Sequence, residues 1–106
     1  MITIIRTANI QAEKYVEALE WAIKLSMLIS SKFSVSSRVA RNIGGNITEI
    51  HWLTDFKSIA DFESFRNKVE TDREYRDLIQ QAITHNLLIG ESLVDRIYGT
   101  VSLAKL

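Results

Sequence analysis

The apolar positions along the chain change their period several times, and each change marks an element. Residues 2–8 form a short run rich in β-branched types, the composition of a strand. From about Gln11 to Ser30 the spacing turns helical, with Ala12, Tyr15, Val16, Leu19, Ile23 and Met27 on one face and no glycine or proline inside. Asn9 stands where an N-cap is expected. A second apolar set, Ala18, Trp21, Leu25 and Leu28, lies about a third of a turn away around the axis. One sheet face needs no arc that wide, so another helix or a partner chain is expected to cover the rest.

Residues 33–41 alternate, with Phe33, Val35 and Val39 separated by Ser34, Ser36 and Arg38, and predict a second strand. Gly44 and Gly45, within residues 42–46, supply a turn, after which residues 47–54 resume an extended pattern and complete a hairpin. Ser58, with Asp61 three positions on, has the form of a helix start. Phe62, Phe65 and Val69 continue that helix, Thr71 and Asp72 can break or recap it, and Leu78, Ile79, Ala82 and Ile83 carry a further helical stretch toward Asn86. Residues 87–101, with Leu93, Val94, Ile97, Tyr98 and Val101, return to strand. The order β-α-β-β-α-β predicts an α+β, ferredoxin-like fold, with a four-stranded antiparallel sheet, both helices on one face and the other face open.

Composition bounds what such a domain can do. The chain has 106 residues, 46% hydrophobic and 25% charged, so residues 1–106 are expected to form one soluble domain. Lys and Arg total 13 and Asp and Glu 13, which leaves no net field to steer the protein onto nucleic acid or an anionic membrane. There is no cysteine, which excludes disulfides, thiolate catalysis and Cys-ligated metals. With neither a secretory pattern at the N-terminus nor a run of about 20 apolar residues, a cytoplasmic protein without a membrane partner is expected. The sequon Asn46-Ile47-Thr48 reads as the shoulder of the hairpin rather than as a glycosylation site.

The run from His51 through Trp52 and Phe56 to Ser58, Phe62 and Phe65, followed by Asp72-Arg73-Glu74-Tyr75-Arg76, resembles the third strand and second helix of the dimeric α/β-barrel superfamily, nearest to NIPSNAP-like and antibiotic-biosynthesis-monooxygenase-like small proteins. That resemblance implies a homodimer in which two sheets pack face to face as an α+β barrel, with a mostly apolar pocket in each subunit. Related branches include cofactor-independent monooxygenases, haem-degrading enzymes, isomerases and proteins with no established chemistry. In the haem-degrading branch a Trp follows three residues after a Phe in the second helix; here Phe62 is followed by Phe65.

Candidate chemistry is sparse. His51 and His85 alone titrate near neutral pH without a large shift. His51 could face the pocket as a base or donor, or could be a half-buried strand histidine with a structural partner. His85 falls near a helix C-terminus, where its positive form interacts favourably with the dipole. No His-Glu-x-x-His sequence or carboxylate-rich loop calls for a metal or other cofactor, and no serine sits in a Gly-x-Ser-x-Gly elbow. Arg6, Arg38 and Arg96 lie on three expected strands, so one or two could point into the pocket beside Trp52 or Tyr98, or each could be paired with Glu49, Glu91 or Asp95. An apolar pocket with one guanidinium suits a small hydrophobic molecule carrying a carboxylate, fatty-acid-like or polyketide-like. Arg6, Arg38, His51, Trp52, Arg96 and Tyr98 are therefore the candidate ligand-binding residues. A monooxygenase or isomerase using His51, and a module that only binds other proteins, are the alternatives.

Overall fold

The computed structural model describes residues 1–105. The strands are β1 (Ile2–Ile10), β2 (Ser36–Arg41), β3 (Glu49–Phe56) and β4 (Leu88–Gly99), and the helices α1 (Tyr15–Phe33), α2 (Ile59–Glu70) and α3 (Arg73–Thr84), with 3₁₀ turns at Ala12–Lys14 and Leu103–Lys105. All strand pairs are antiparallel, in the order β2-β3-β1-β4. The result is the α+β, ferredoxin-like arrangement that the hydrophobic pattern predicts, its second helical region divided in two at Thr71 and Asp72.

The helix ends follow from local chemistry. Ser58 caps α2 by accepting from Asp61 N–H at 3.2 Å, and Asp72 caps α3 by accepting from Tyr75 N–H at 3.0 Å. At the far end of α3, Asn86 takes a left-handed φ of 52°, its N–H donates to Ile83 at 3.1 Å, and Leu87 N–H donates to Ala82 at 3.0 Å. This paired closure satisfies the last carbonyls and drives Leu87 into the core.

Three expectations need correction. Asn9 is no helix cap: β1 continues to Ile10, because Ile10 N–H donates to Thr48 and Gln11 N–H to Leu87, holding the chain extended until the 3₁₀ turn. Lys14 occupies the N-cap of α1 without a side-chain capping bond. Phe33 ends α1 rather than opening a strand; Ser34 turns the chain with φ 55°, and Ser30 Oγ bonds both the N–H and the carbonyl of Ser37 at 3.2 Å, stitching helix to strand. The core face of α1 is Ala18, Trp21, Ala22, Leu25, Ser26 and Ile29, whereas Val16, Ile23 and Met27 from the other set are 67%, 50% and 65% exposed. The alanines decide this, since Ala18 and Ala22, both fully buried, let the helix approach more closely than a face of Val, Ile and Met would.

Strand alternation sorts the side chains between two sheet faces. Toward the helices point Ile4, Arg6, Ala8 and Ile10 of β1, with Ile50, Trp52 and Phe56 of β3, all but Arg6 buried. Toward the open face point Thr3, Ile5 and Thr7 of β1 and His51, Leu53 and Asp55 of β3. The loop before β3 turns at Gly45, φ 77°, and closes on Asn46, whose Oδ1 accepts from the N–H and hydroxyl of Thr48 at 3.1 and 2.7 Å. The sequon is thus the shoulder of this connection.

β4 is irregular where it matters. Its register with β1 jumps from Val94 opposite Thr7 to Ile89 opposite Asn9. The extra residues bulge, and Ser92 Oγ accepts the otherwise unpaired Asn9 N–H at 2.8 Å.

Candidate functional site

Between the helices and the sheet lies a cavity of about 720 Å³ to which every strand except β2 and all three helices contribute. Its aromatic wall is Trp21 from α1, Trp52 and Phe56 from β3, Phe62 and Phe65 from α2, and Tyr75 from α3. Leu25, Ile29, Val69, Ile79 and Ala82 fill in the aliphatic surface. Gly90 and Leu93, in the bulge of the edge strand β4, also line it.

The two tryptophans set the height of this space. Trp21 and Trp52 meet edge to face with centroids 5.8 Å apart and planes at 86°. Trp21 Nε1 donates to the Leu78 carbonyl at 2.8 Å, tying α1 to α3, and Trp52 Nε1 donates to the Ala22 carbonyl at 3.2 Å, tying β3 to α1. Both indole N–H groups are satisfied outside the cavity, so the rings offer it mainly apolar surface.

One ion pair supplies the polar end. Arg6 Nε donates to Asp95 Oδ1 at 2.7 Å and Nη2 to Oδ2 at 2.8 Å, a bidentate fork between residues directly opposite in the β1–β4 register. The fork raises the Arg6 pKa above its ordinary value, with a smaller contribution from the Tyr75 phenol, and holds the Asp95 carboxyl below the usual carboxylate range. Asn86, at the end of α3, also lines the cavity. Arg66 and Glu70 lie on its α2 wall, loosely paired at 3.8 Å, with the Arg66 guanidinium 6.0 Å from the Phe62 centroid.

The six sequence-predicted residues divide between the two faces. Arg6 and Trp52 are cross-strand partners and line the cavity together. His51, Arg38, Arg96 and Tyr98 lie on the open face, so the cavity does not bring all six together. Arg38 pairs with Asp55 at 3.3 Å, and Asp55 also accepts from the Thr3 hydroxyl at 2.7 Å. Arg96 lies in one cross-strand row with Ile5, Leu53 and Arg38, and Tyr98 in the next with Thr3, Asp55 and Ser36.

His51 is tightly partnered. Its Nδ1 lies 2.7 Å from Thr7 Oγ1 and its Nε2 lies 2.8 Å from Asn42 Oδ1. Asn42 Nδ2 donates to the Asn46 carbonyl and to Glu49 Oε1, at 2.9 and 3.2 Å, so Asn42 Oδ1 is left to accept from Nε2–H. In the neutral ring Nδ1 then accepts the Thr7 hydroxyl. His85 is the C-cap residue of α3, and its Nδ1 lies 2.9 Å from Glu17 Oε1 of α1 while its carbonyl accepts from Lys14 Nζ; it ties two helices together.

The architecture has close counterparts among solved structures. A NIPSNAP domain protein from Burkholderia xenovorans superposes with a TM-score of 0.81, covering 97% of each chain at 14% identity. The chain shares the fold of NIPSNAP-domain proteins. A NIPSNAP family protein from Agrobacterium tumefaciens gives a TM-score of 0.79 at 18% identity over 96% of this chain and 94% of that one. An antibiotic biosynthesis monooxygenase gives 0.73 at 9% identity over 96% and 100%. No family model and no curated protein matches the sequence. Among the described residues no helix is long and apolar enough to cross a membrane, and no group of three or more His, Asp or Glu could hold a metal ion.

Most cavity residues escape a sequence reading because they look like ordinary core. Phe62 and Phe65, Trp21, and Ile79 with Ala82 and Ile83 carry the helical spacing of a buried face, and nothing in that spacing separates a filled core from a hollow one. The pairing of Arg6 with Asp95 was one of several possible partnerships until the β1–β4 register fixed it.

Proposed function

We propose that the protein binds a small, largely apolar molecule in the cavity between its helices and sheet. The observation that carries this is the cavity itself: about 720 Å³, the size range of ligand pockets, walled by aromatic side chains and fitted with one polar fork.

On the same reading the protein is a homodimer that packs its open sheet faces together. Ile5, Leu53 and Val94 give that face an apolar centre, bordered by Arg38, Arg96 and Tyr98, and covering it would complete a barrel with one cavity per subunit. His51, already saturated by Thr7 and Asn42, would then be an interface residue that holds β3 and its preceding loop in register. Native mass spectrometry of protein purified without added ligand tests both parts. A dimer carrying a small-molecule adduct is expected; a bare monomer at micromolar concentration would remove the reading.

Cofactor-independent oxygenation of the bound molecule is a second reading, favoured by the shared fold with an antibiotic biosynthesis monooxygenase. His51 faces away from the cavity, so any proton transfer there falls to Tyr75, Asp95 or Glu70. Dioxygen uptake with a hydroxyarene and no added cofactor is its test, and absence of uptake would withdraw it.

A further inference from the structure

The aromatic walls of the cavity select for shape, whereas the fork at its polar end selects for charge. We infer that Asp95 is a specificity-determining residue: by holding the Nε–Nη2 edge of Arg6 and cancelling its charge, it makes the cavity take uncharged apolar molecules with an acceptor oxygen and reject carboxylates of the same shape. This rests on the reading that the cavity binds a small apolar molecule, and names its chemical class.

The argument is one of donor counting. A guanidinium has five N–H groups in a fixed fork, and Asp95 uses Nε and one from Nη2. Three N–H groups, both of Nη1 and the second of Nη2, lie outside the fork; even with the Tyr75 phenol close to the guanidinium, a ketone or ether oxygen can accept from one of them without disturbing the pair. A ligand carboxylate seeking the Nε–Nη2 edge must displace Asp95 and break the bidentate pair that already holds it, whose two side chains are 42% and 41% exposed. If it binds next to Asp95 instead, two anions share one cation, an arrangement that favours protonation or expulsion of one of them.

Asp95 sits opposite Arg6 in the ladder, so backbone pairing on both strands keeps the two side chains within reach of each other. The other charges on the cavity wall, Arg66 and Glu70, sum to zero as well. No cation is therefore left uncompensated to attract an acid.

Isothermal titration of the full chain at pH 7 with 2-acetylnaphthalene and 2-naphthoate, which share the same ring system, tests this. The wild type should bind the ketone at least about tenfold more tightly than the acid. Asp95→Asn should tighten naphthoate by about tenfold or more and thereby abolish or reverse the preference for the ketone. Asp95→Ala serves if the first variant does not fold, and the wild-type preference stands as a test by itself. Equal affinity for the two probes in the wild type, or naphthoate binding unmoved in a folded Asp95 variant, overturns the inference and leaves the cavity reading in place. Binding of neither probe overturns both.

Discussion

Trp21→Phe probes the contact that holds the cavity open. The substitution removes the indole N–H that donates to Leu78, a net loss of about 1 kcal/mol for a neutral hydrogen bond. The Leu78 carbonyl keeps its partner within α3, so no unsatisfied-acceptor penalty is added. Trp21 is 3% exposed, and replacing its two-ring side chain by one ring forfeits a further ~1–2 kcal/mol of buried surface and contacts. Weakening the edge-to-face pair with Trp52 adds about 0.5–1 kcal/mol. The total, about 2.5–4 kcal/mol, is a large share of the roughly 5–15 kcal/mol that stabilises a domain. Urea unfolding followed by circular dichroism, at one fixed protein concentration so that the proposed dimerisation cannot shift the comparison, measures it. A double-mutant cycle with Trp52→Phe should return a coupling of about 0.5–1.5 kcal/mol. A loss under about 1 kcal/mol for Trp21→Phe with an unchanged m-value would refute the view that this indole fixes α1 against α3.

Three further outcomes follow from the same geometry. Ser58→Ala should lower stability by about 1 kcal/mol through loss of the α2 cap, read as a shift in the urea midpoint, while Ser58→Asp should restore most of it. Asp95 and Asp72 titrate below the ordinary carboxylate range because of Arg6 and Lys32 respectively, so their stabilisation is complete above the unfolded value near about 4 and is lost as pH falls through the lower folded values. The stability difference between wild type and Asp95→Asn should accordingly narrow between about pH 5 and 2, and a constant difference across that window would contradict the assignment. Leu53→Glu, in the middle of the open face, should convert the proposed dimer to a monomer in light scattering without changing the far-ultraviolet spectrum; a variant that stays dimeric would place the interface elsewhere.

Much of the fold was legible in the sequence for identifiable reasons. The glycines at 44 and 45, the Ser58 cap and the break at Thr71 and Asp72 each impose a local conformation that residue type alone specifies, and the element order followed from them. The orientation of α1 did not, because two apolar stripes of similar strength run along it, and the choice between them depended on how closely Ala18 and Ala22 let the helix approach the sheet. Asn9 misled for a related reason: a residue type that favours caps was held in a strand by backbone bonds to segments about 40 and 80 positions away, which no local pattern records. The candidate site was legible in part. Arg6 and Trp52 were found as polar and aromatic residues on strands, but sequence could not tell odd from even faces of four strands at once, so open-face residues were grouped with them. The hollow between helices and sheet, and the β4 bulge that lines it, arise only from the assembled packing.

The chain has two tryptophans, and both line the cavity, so the two indole N–H signals in a ¹H–¹⁵N correlation spectrum report directly on its occupancy. Titration of the labelled protein with 2-acetylnaphthalene should move both indole signals together and to saturation while the methyl signals of Ile5, Leu53 and Val94 on the open face stay in place. Unmoved indole signals, with shifts confined to that open face, would contradict the claim that the cavity between helices and sheet is where this protein binds its ligand.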